Sequence, residues 1–343
     1  MSFPRVRLPR SPAGRMTLVA VLLAGVVALV LWRVDVHLVE EAFELVTWKW
    51  IVAAVLLNFL SILVRAIAWK IVVDQAVPPP PPRQRSVFAA FSIGLLGNAA
   101  LPGRVGELAR VIVLNRRLRP RPGNWATLVG TVFAHRLFDV VVAAALVVTV
   151  LYTARIPDWA LPGLAIALGV GLGFLLAALF LAQRRSRIAL DEVGPVRRAL
   201  SMARRGLNVL QRPSAAIGAL LFQACAWIAQ LFAVWTTMRA FDIHAPLEAA
   251  ALVLVIMNLV FVFPLWPGNV GLLQAAVALS LLPYGVSYGR GFLYGIGLQA
   301  VEAGVGIGLG LIFLAREGVS FAMLRRMPDV TSVEMDERVE RIA

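Results

Sequence analysis

Six stretches of this sequence stay apolar for long enough to cross about 30 Å of hydrocarbon: residues 16–32, 48–73, 125–153, 160–182, 214–240 and 291–315. A chain that must bury so many such runs has few solvents open to it. Its hydrophobic content is 60% and its mean hydropathy +0.81, against an apolar share of about 45–50% in soluble domains. The reading is an all-α, polytopic membrane protein, with a transmembrane domain at 1–315 and a polar cytoplasmic tail at 316–343.

Two more apolar stretches are interrupted by Gly and Pro, and they echo each other. Leu101-Pro102-Gly103-Arg104-Val105-Gly106-Glu107-Leu108 recurs as Trp266-Pro267-Gly268-Asn269-Val270-Gly271-Leu272-Leu273, sharing P-G-x-V-G. Proline removes a backbone donor and glycine loosens the turn, so neither segment crosses as one helix. Non-helical backbone survives at membrane depth only when buried in protein or facing a water-filled cavity. Segments 87–115 and 248–284 therefore read as re-entrant hairpins, the first entered from the inner face and the second from the outer. Paired broken segments in corresponding halves are the sequence mark of an inverted repeat around a central transport site. If both instead cross fully, the chain has eight spans with the same orientation of its termini.

The formal net charge of +14 raises the question of nucleic acid, and its placement answers it. With the N-terminus inside and six crossings, 26 of the 33 basic residues fall in inside segments, five fall outside, and Arg65 and Arg136 lie within spans. That is the positive-inside pattern, with anionic lipid rather than nucleic acid as the attracted partner. Both termini are therefore expected on the cytoplasmic side of the membrane.

Smaller features follow the same logic. The first run follows Arg5, Arg7, Arg10 and Arg15, yet no small-residue cleavage site comes after Trp32, so it reads as an uncleaved anchor. Residues 33–46 interleave Asp35, Glu40, Glu41 and Glu44 with apolar positions, as a short amphipathic helix on the outer face does. The proline run 78–82 reads as a stiff polyproline II spacer, and 184–212 as a basic loop on the inner surface. The single Cys225 excludes an intramolecular disulfide, and His37, His135 and His244 are isolated from one another, so no metal centre is expected. No Walker loop, dinucleotide fingerprint, nucleophile elbow or zinc spacing is present, and no enzyme activity or cofactor is expected.

An ionisable side chain within a span costs about 2.5–3.5 kcal/mol on insertion scales, so each needs a partner, an aqueous face or a task. Around the first break, Asn98 precedes it, and Arg104, Glu107 and Arg110 follow three residues apart, close to one helical face. Helix N-termini also suit phosphate. Those residues can form a headgroup site, with an arginine on phosphate and Glu107 orienting it, or an internal salt bridge that satisfies a buried turn. Arg136 and Asp139 sit one turn apart and are expected to pair. Arg65, near Trp69 and Lys70 at the inner boundary, is expected to snorkel. In the last span, Glu302 lies one turn from Gln299 and needs a proton or a cationic partner, which makes it a candidate proton carrier. Gly304, Gly306, Gly308 and Gly310 offer two small-xxx-small pairs for close packing. Asn258 and Gln274 add neutral polar contacts near the second break, where Asn269 stands in the turn itself.

The stretch from Ser92 through Asn98, Pro102, Gly103, Arg104, Gly106, Glu107 and Arg110 closely resembles the signature of the lysylphosphatidylglycerol synthase transmembrane, or flippase-like, family. The resemblance continues through Arg136-Leu137-Phe138-Asp139 and Pro264-Leu265-Trp266-Pro267-Gly268-Asn269-Val270-Gly271, covering about residues 15–315. It implies a bacterial inner-membrane transporter of an anionic or polyprenyl-linked membrane lipid, with Asn98, Pro102, Gly103, Gly106, Glu107, Arg110, Arg136 and Asp139 at family positions. The alternative reading, on the same fold, is a non-transporting accessory subunit that holds a partner enzyme of lipid or glycan synthesis at the membrane. Two positions depart from the family's pattern: Gln274 where an acidic residue is common, and Gln299 near a usual arginine. Nothing in the chain resembles the soluble aminoacyl-transfer domain, so the resemblance implies no synthase activity.

Overall fold

The computed structural model describes residues 46–100, 106–121, 124–183, 209, 212–262 and 267–317. The first apolar run, nearly all of the 33–46 amphipathic segment, most of the basic loop and all of the tail beyond residue 317 lie outside the described residues, as do Arg104 and residues 263–266. Among the described residues every longer element is a helix. In chain order these are α1 (Trp48–Ala76), α2 (Gln84–Ala100), α3 (Gly106–Asn115), α4 (Asn124–Thr153) and α5 (Leu161–Gln183). After the basic segment come α6 (Pro213–Ala240), α7 (Leu247–Val262), α8 (Leu272–Leu281) and α9 (Tyr288–Glu317).

Five of these helices, α1, α4, α5, α6 and α9, are long and apolar enough to cross a membrane. Their ends follow from local chemistry. Val77 leaves the helical region (φ −95°, ψ 133°), as a residue before proline must, and closes α1. Pro213 opens α6 at its first turn, where its missing N–H costs nothing. Segment 77–83 is non-helical and contains a cis peptide bond between Pro79 and Pro80, a departure from a uniform polyproline II spacer.

The remaining four helices form two pairs, and both pairs flank the sequence echo. Helices α2 and α3, of 17 and 10 residues, pack on each other across the first break. Helices α7 and α8, of 16 and 10 residues, do the same across the second. Each is shorter than the roughly 20 residues a single crossing needs.

Each pair has its own core. Around α2 and α3, Trp69 and Val73 of α1 pack with Ile93, Val111, Leu114 and Phe313. Around α7 and α8, Met238 of α6 packs with Leu254, Leu273, Val277 and Tyr294. The most extensive helix pairing is α1 on α6, and α9 touches both hairpins. Helix α5 packs on α4 yet leaves Ile166, Val170, Leu172 and Leu176 exposed, an apolar surface that suits lipid and not water.

The glycines of α9 explain how it reaches both pairs. A Cβ on Gly310 would overlap Leu96 of α2 and lie 2.8 Å from the Ser92 carbonyl. On Gly291 it would meet the Ala278 backbone at 2.8 Å, and on Gly295 that of Gln274 at 3.0 Å, both in α8. Gly304 and Gly308, expected to pack, have nothing within 4 Å, because their side of the helix faces away from both hairpins.

Candidate functional site

Both breaks open onto one cavity of about 850 Å³, lined from α1, α2, α3, α4, α6, α7, α8 and α9. The backbone at each break is held differently. A Cβ on Gly106 would overlap the Gly94 carbonyl and stand 2.6 Å from the Asn98 amide nitrogen, so α3 starts directly against α2. At the second break, Gly268 (φ 71°), Asn269 (φ 46°) and Gly271 (φ 90°) all take positive φ, which glycine and asparagine tolerate best.

Three arginines and three carboxylates line the cavity among the described residues: Arg65, Arg110 and Arg136 with Glu107, Asp139 and Glu302. Glu107 forms ion pairs with Arg110 at 2.5 Å and with Arg136 of α4. Arg136 also reaches Asp139 at 3.0 Å, and Arg65 reaches the same carboxylate at 3.5 Å. Asp139 accepts further hydrogen bonds from Trp227 Nε1 (3.1 Å) and from the Gln223 amide, both on α6. A carboxylate with this many donors on two helices besides its own is held in one orientation.

The arginines differ in what they can still reach. The Arg110 side chain is 4% exposed, its guanidinium 4.7 Å above the Trp69 ring and 5.5 Å from Phe91. The Arg65 guanidinium lies 5.2 Å over Trp227. The Arg136 side chain is 37% exposed and shared between two carboxylates on different helices. It is the cavity cation with the most open face among the described residues.

A second network is neutral. The Gln274 side-chain carbonyl accepts from the Gly271 amide (2.6 Å), reaching back to cap α8, while its NH₂ group donates to Gln299 (2.5 Å). Gln299 in turn donates to the Gly268 carbonyl, and Asn269 donates to the Val260 carbonyl at 2.8 Å. Asn258 spends one donor on the Leu254 carbonyl of its own helix (2.8 Å). Glu302 accepts from Gln230 of α6, and Ser61 of α1 lies 3.0 Å from the same glutamine's oxygen.

The structure brings together Asn98, Glu107, Arg110, Arg136, Asp139, Asn269, Gln274 and Glu302 around this one space; Arg104 lies outside the described residues. Arg65 does not snorkel: the cavity pairs it with Asp139 in place of the inner boundary. Sequence reading missed Gln223, Trp227 and Gln230 on α6, and it set His135 aside. His135 is 1% exposed, lines the cavity with its ring edge-on to Phe91, and has no well-aligned hydrogen bond at either nitrogen. A polar stripe 223–227–230 on α6 was the available signal, since these positions share one helical face.

In comparison with known protein families, residues 16–324 fit the family model described as "Lysylphosphatidylglycerol synthase TM region". No curated protein and no solved structure matches the chain.

Proposed function

The chain belongs to the lysylphosphatidylglycerol synthase transmembrane family, a flippase-like family of membrane domains, and from that premise we propose that it moves a lipid across the membrane. The substrate class is an anionic phospholipid or a polyprenyl-linked lipid, carried across a bacterial inner membrane. The observation that carries this reading is the meeting of two broken helix pairs and six ionisable side chains, three arginines and three acids, at a single cavity inside a membrane protein. Charged groups placed there are expensive unless they have a task, and helices broken near the midplane are how transporters expose backbone to cargo. In this reading both pairs are re-entrant, related as an inverted repeat, with the two termini in the cytoplasm.

The headgroup phosphate meets Arg136 first, because Arg110 is packed over Trp69. Phosphate then competes with Glu107 and Asp139 for the same guanidinium, and a bidentate arginine–phosphate contact is strong enough to do so. Loss of the Glu107–Arg136 pair frees α3 from α4, which couples cargo binding to movement of the first hairpin. The apolar lining from Ile62, Met257, Phe292 and Ile296 accommodates the chain next to the headgroup.

The test is a reconstituted liposome assay with fluorescent phosphatidylglycerol and a polyprenyl-phosphate analogue, comparing wild type with Arg136→Ala. Movement of either lipid by wild type, lost in the variant, is the expected result. Movement of neither lipid by wild type would refute this substrate class.

A further inference from the structure

The three cavity carboxylates are not equivalent. Glu107 is held by Arg110 and Arg136, and Asp139 by Arg65 and Arg136. Glu302 has no cation at ion-pair distance among the described residues; its hydrogen-bond partner is the amide of Gln230. Arg65 is the cation that acts on it from α1, and that guanidinium is committed to Asp139 and to the Trp227 ring. A bare carboxylate in such surroundings is costly, and the usual relief is a proton.

The groups around Glu302 can accept either state. Ser61 has one hydroxyl proton and two acceptors, the Ala226 carbonyl at 2.9 Å and the Gln230 oxygen at 3.0 Å. When Ser61 donates to Gln230, the amide NH₂ faces Glu302 and stabilises a carboxylate. When Ser61 donates to Ala226, the Gln230 amide can turn over, donate to the serine oxygen and present its carbonyl to a protonated Glu302. No hydrogen bond is lost in the exchange, because hydroxyl and amide groups serve as donor and acceptor alike. Neither arginine-bound carboxylate has a partner set that is reversible in this way.

Among the described residues, the other two cavity acids, Glu107 and Asp139, are both paired with arginines. From its own helix Glu302 senses Tyr294, whose hydroxyl is spent on the Val234 carbonyl at 3.2 Å. Helices α2 and α8 bring the neutral Asn98 and Gln274 to the cavity, and α6 brings Gln230. Glu107, Arg110, His135, Arg136 and Asp139 face it from α3 and α4.

We propose that Glu302 is an exchangeable proton site, with Gln230 and Ser61 as its reversible hydrogen-bond partners, and that proton exchange there drives the lipid step. This rests on the transporter reading above. The balance is simple: one proton enters from water on one side, bonds to a Glu302 oxygen, and leaves to water on the other.

The test uses the full chain in liposomes and dicyclohexylcarbodiimide, which attacks protonated carboxyl groups in apolar surroundings, followed by mass spectrometry of the peptides. The expected result is adduct on Glu302, falling by up to about tenfold per pH unit once the site ionises, with Glu107 and Asp139 unmodified. Absence of adduct on Glu302, or equal adduct on all three residues, overturns the proposal. A second arm compares lipid movement with and without an imposed pH gradient. Wild type is expected to be accelerated and Glu302→Gln to show a ratio near one; an unchanged ratio in the variant overturns proton coupling. Labelling is read without lipid movement, so a labelled Glu302 in protein that moves no lipid would sink the transporter reading and keep the proton site.

Discussion

The two broken helix pairs reach the same cavity by different chemistry. The first, α2 and α3, is fastened to its neighbours by charge: Glu107, paired with Arg110, also pairs with Arg136 of α4, and α3 starts against α2 through the contact of Gly106 with Gly94. The second, α7 and α8, is stitched by amides: Gln274, Gln299 and Asn269 tie the positive-φ turn to α9 and back onto α7. Ion pairs can be exchanged for an incoming phosphate without loss of bonding, whereas a directional amide ladder has no such substitute. Under the transporter proposal, the contrast would give cargo exchange to the first pair and anchoring to the second.

The comparison can be broken at several points. The largest effect is expected from Gly106→Ala, since the added methyl meets backbone from Gly94 and Asn98 that cannot yield. A cost of about 3 kcal/mol or more, at the upper end of overpacking, should appear as loss of monodisperse protein in size-exclusion chromatography. Glu107→Gln comes next, leaving Arg110 and Arg136 without their shared carboxylate. A destabilisation of about 3 kcal/mol in thermal or denaturant unfolding is expected, as for a broken buried ion pair. Gln274→Leu removes two neutral hydrogen bonds and should cost about 1–2 kcal/mol by the same measurement. Equal losses for Glu107→Gln and Gln274→Leu would erase the distinction between charge and amide fastening. The smallest effect belongs to Gly304→Ala, which meets nothing within 4 Å and should be neutral or stabilising by up to about 1 kcal/mol from helix propensity. A large loss there would show that α9 packs differently from the description above.

Much of this was readable from sequence because the bilayer makes local signals strong. Long apolar runs have one stable answer in hydrocarbon, so α1, α4, α5, α6 and α9 fall within three residues of the expected limits. Gly and Pro mark the breaks for reasons internal to the chain, and charged side chains within apolar runs single themselves out by cost. What was not readable is which faces meet. Helices α1 and α6 are apolar nearly all round, and lipid is no less apolar than a neighbouring helix, so periodicity does not choose partners. For that reason Arg65 was assigned to the headgroup boundary, although it serves Asp139 beside Trp227. The role of Gln230 was hidden for the same reason: its value depends on Ser61 and Glu302, 169 and 72 residues away in the chain. The α9 glycines were counted correctly but assigned by spacing alone, and it is Gly291, Gly295 and Gly310 that make the close approaches.

Helix α9 touches α8 near its beginning, at Gly291 and Gly295, and α2 near its end, at Gly310. Those contacts are separated by about 28 Å along a rod rising 1.5 Å per residue. Gln299 and Glu302 stand near its midpoint, against the cavity. Such a rod is a see-saw: any tilt about its middle swings its two ends in opposite directions and shifts its contacts with the two hairpins together. The fulcrum of that see-saw is Glu302, the proposed proton site.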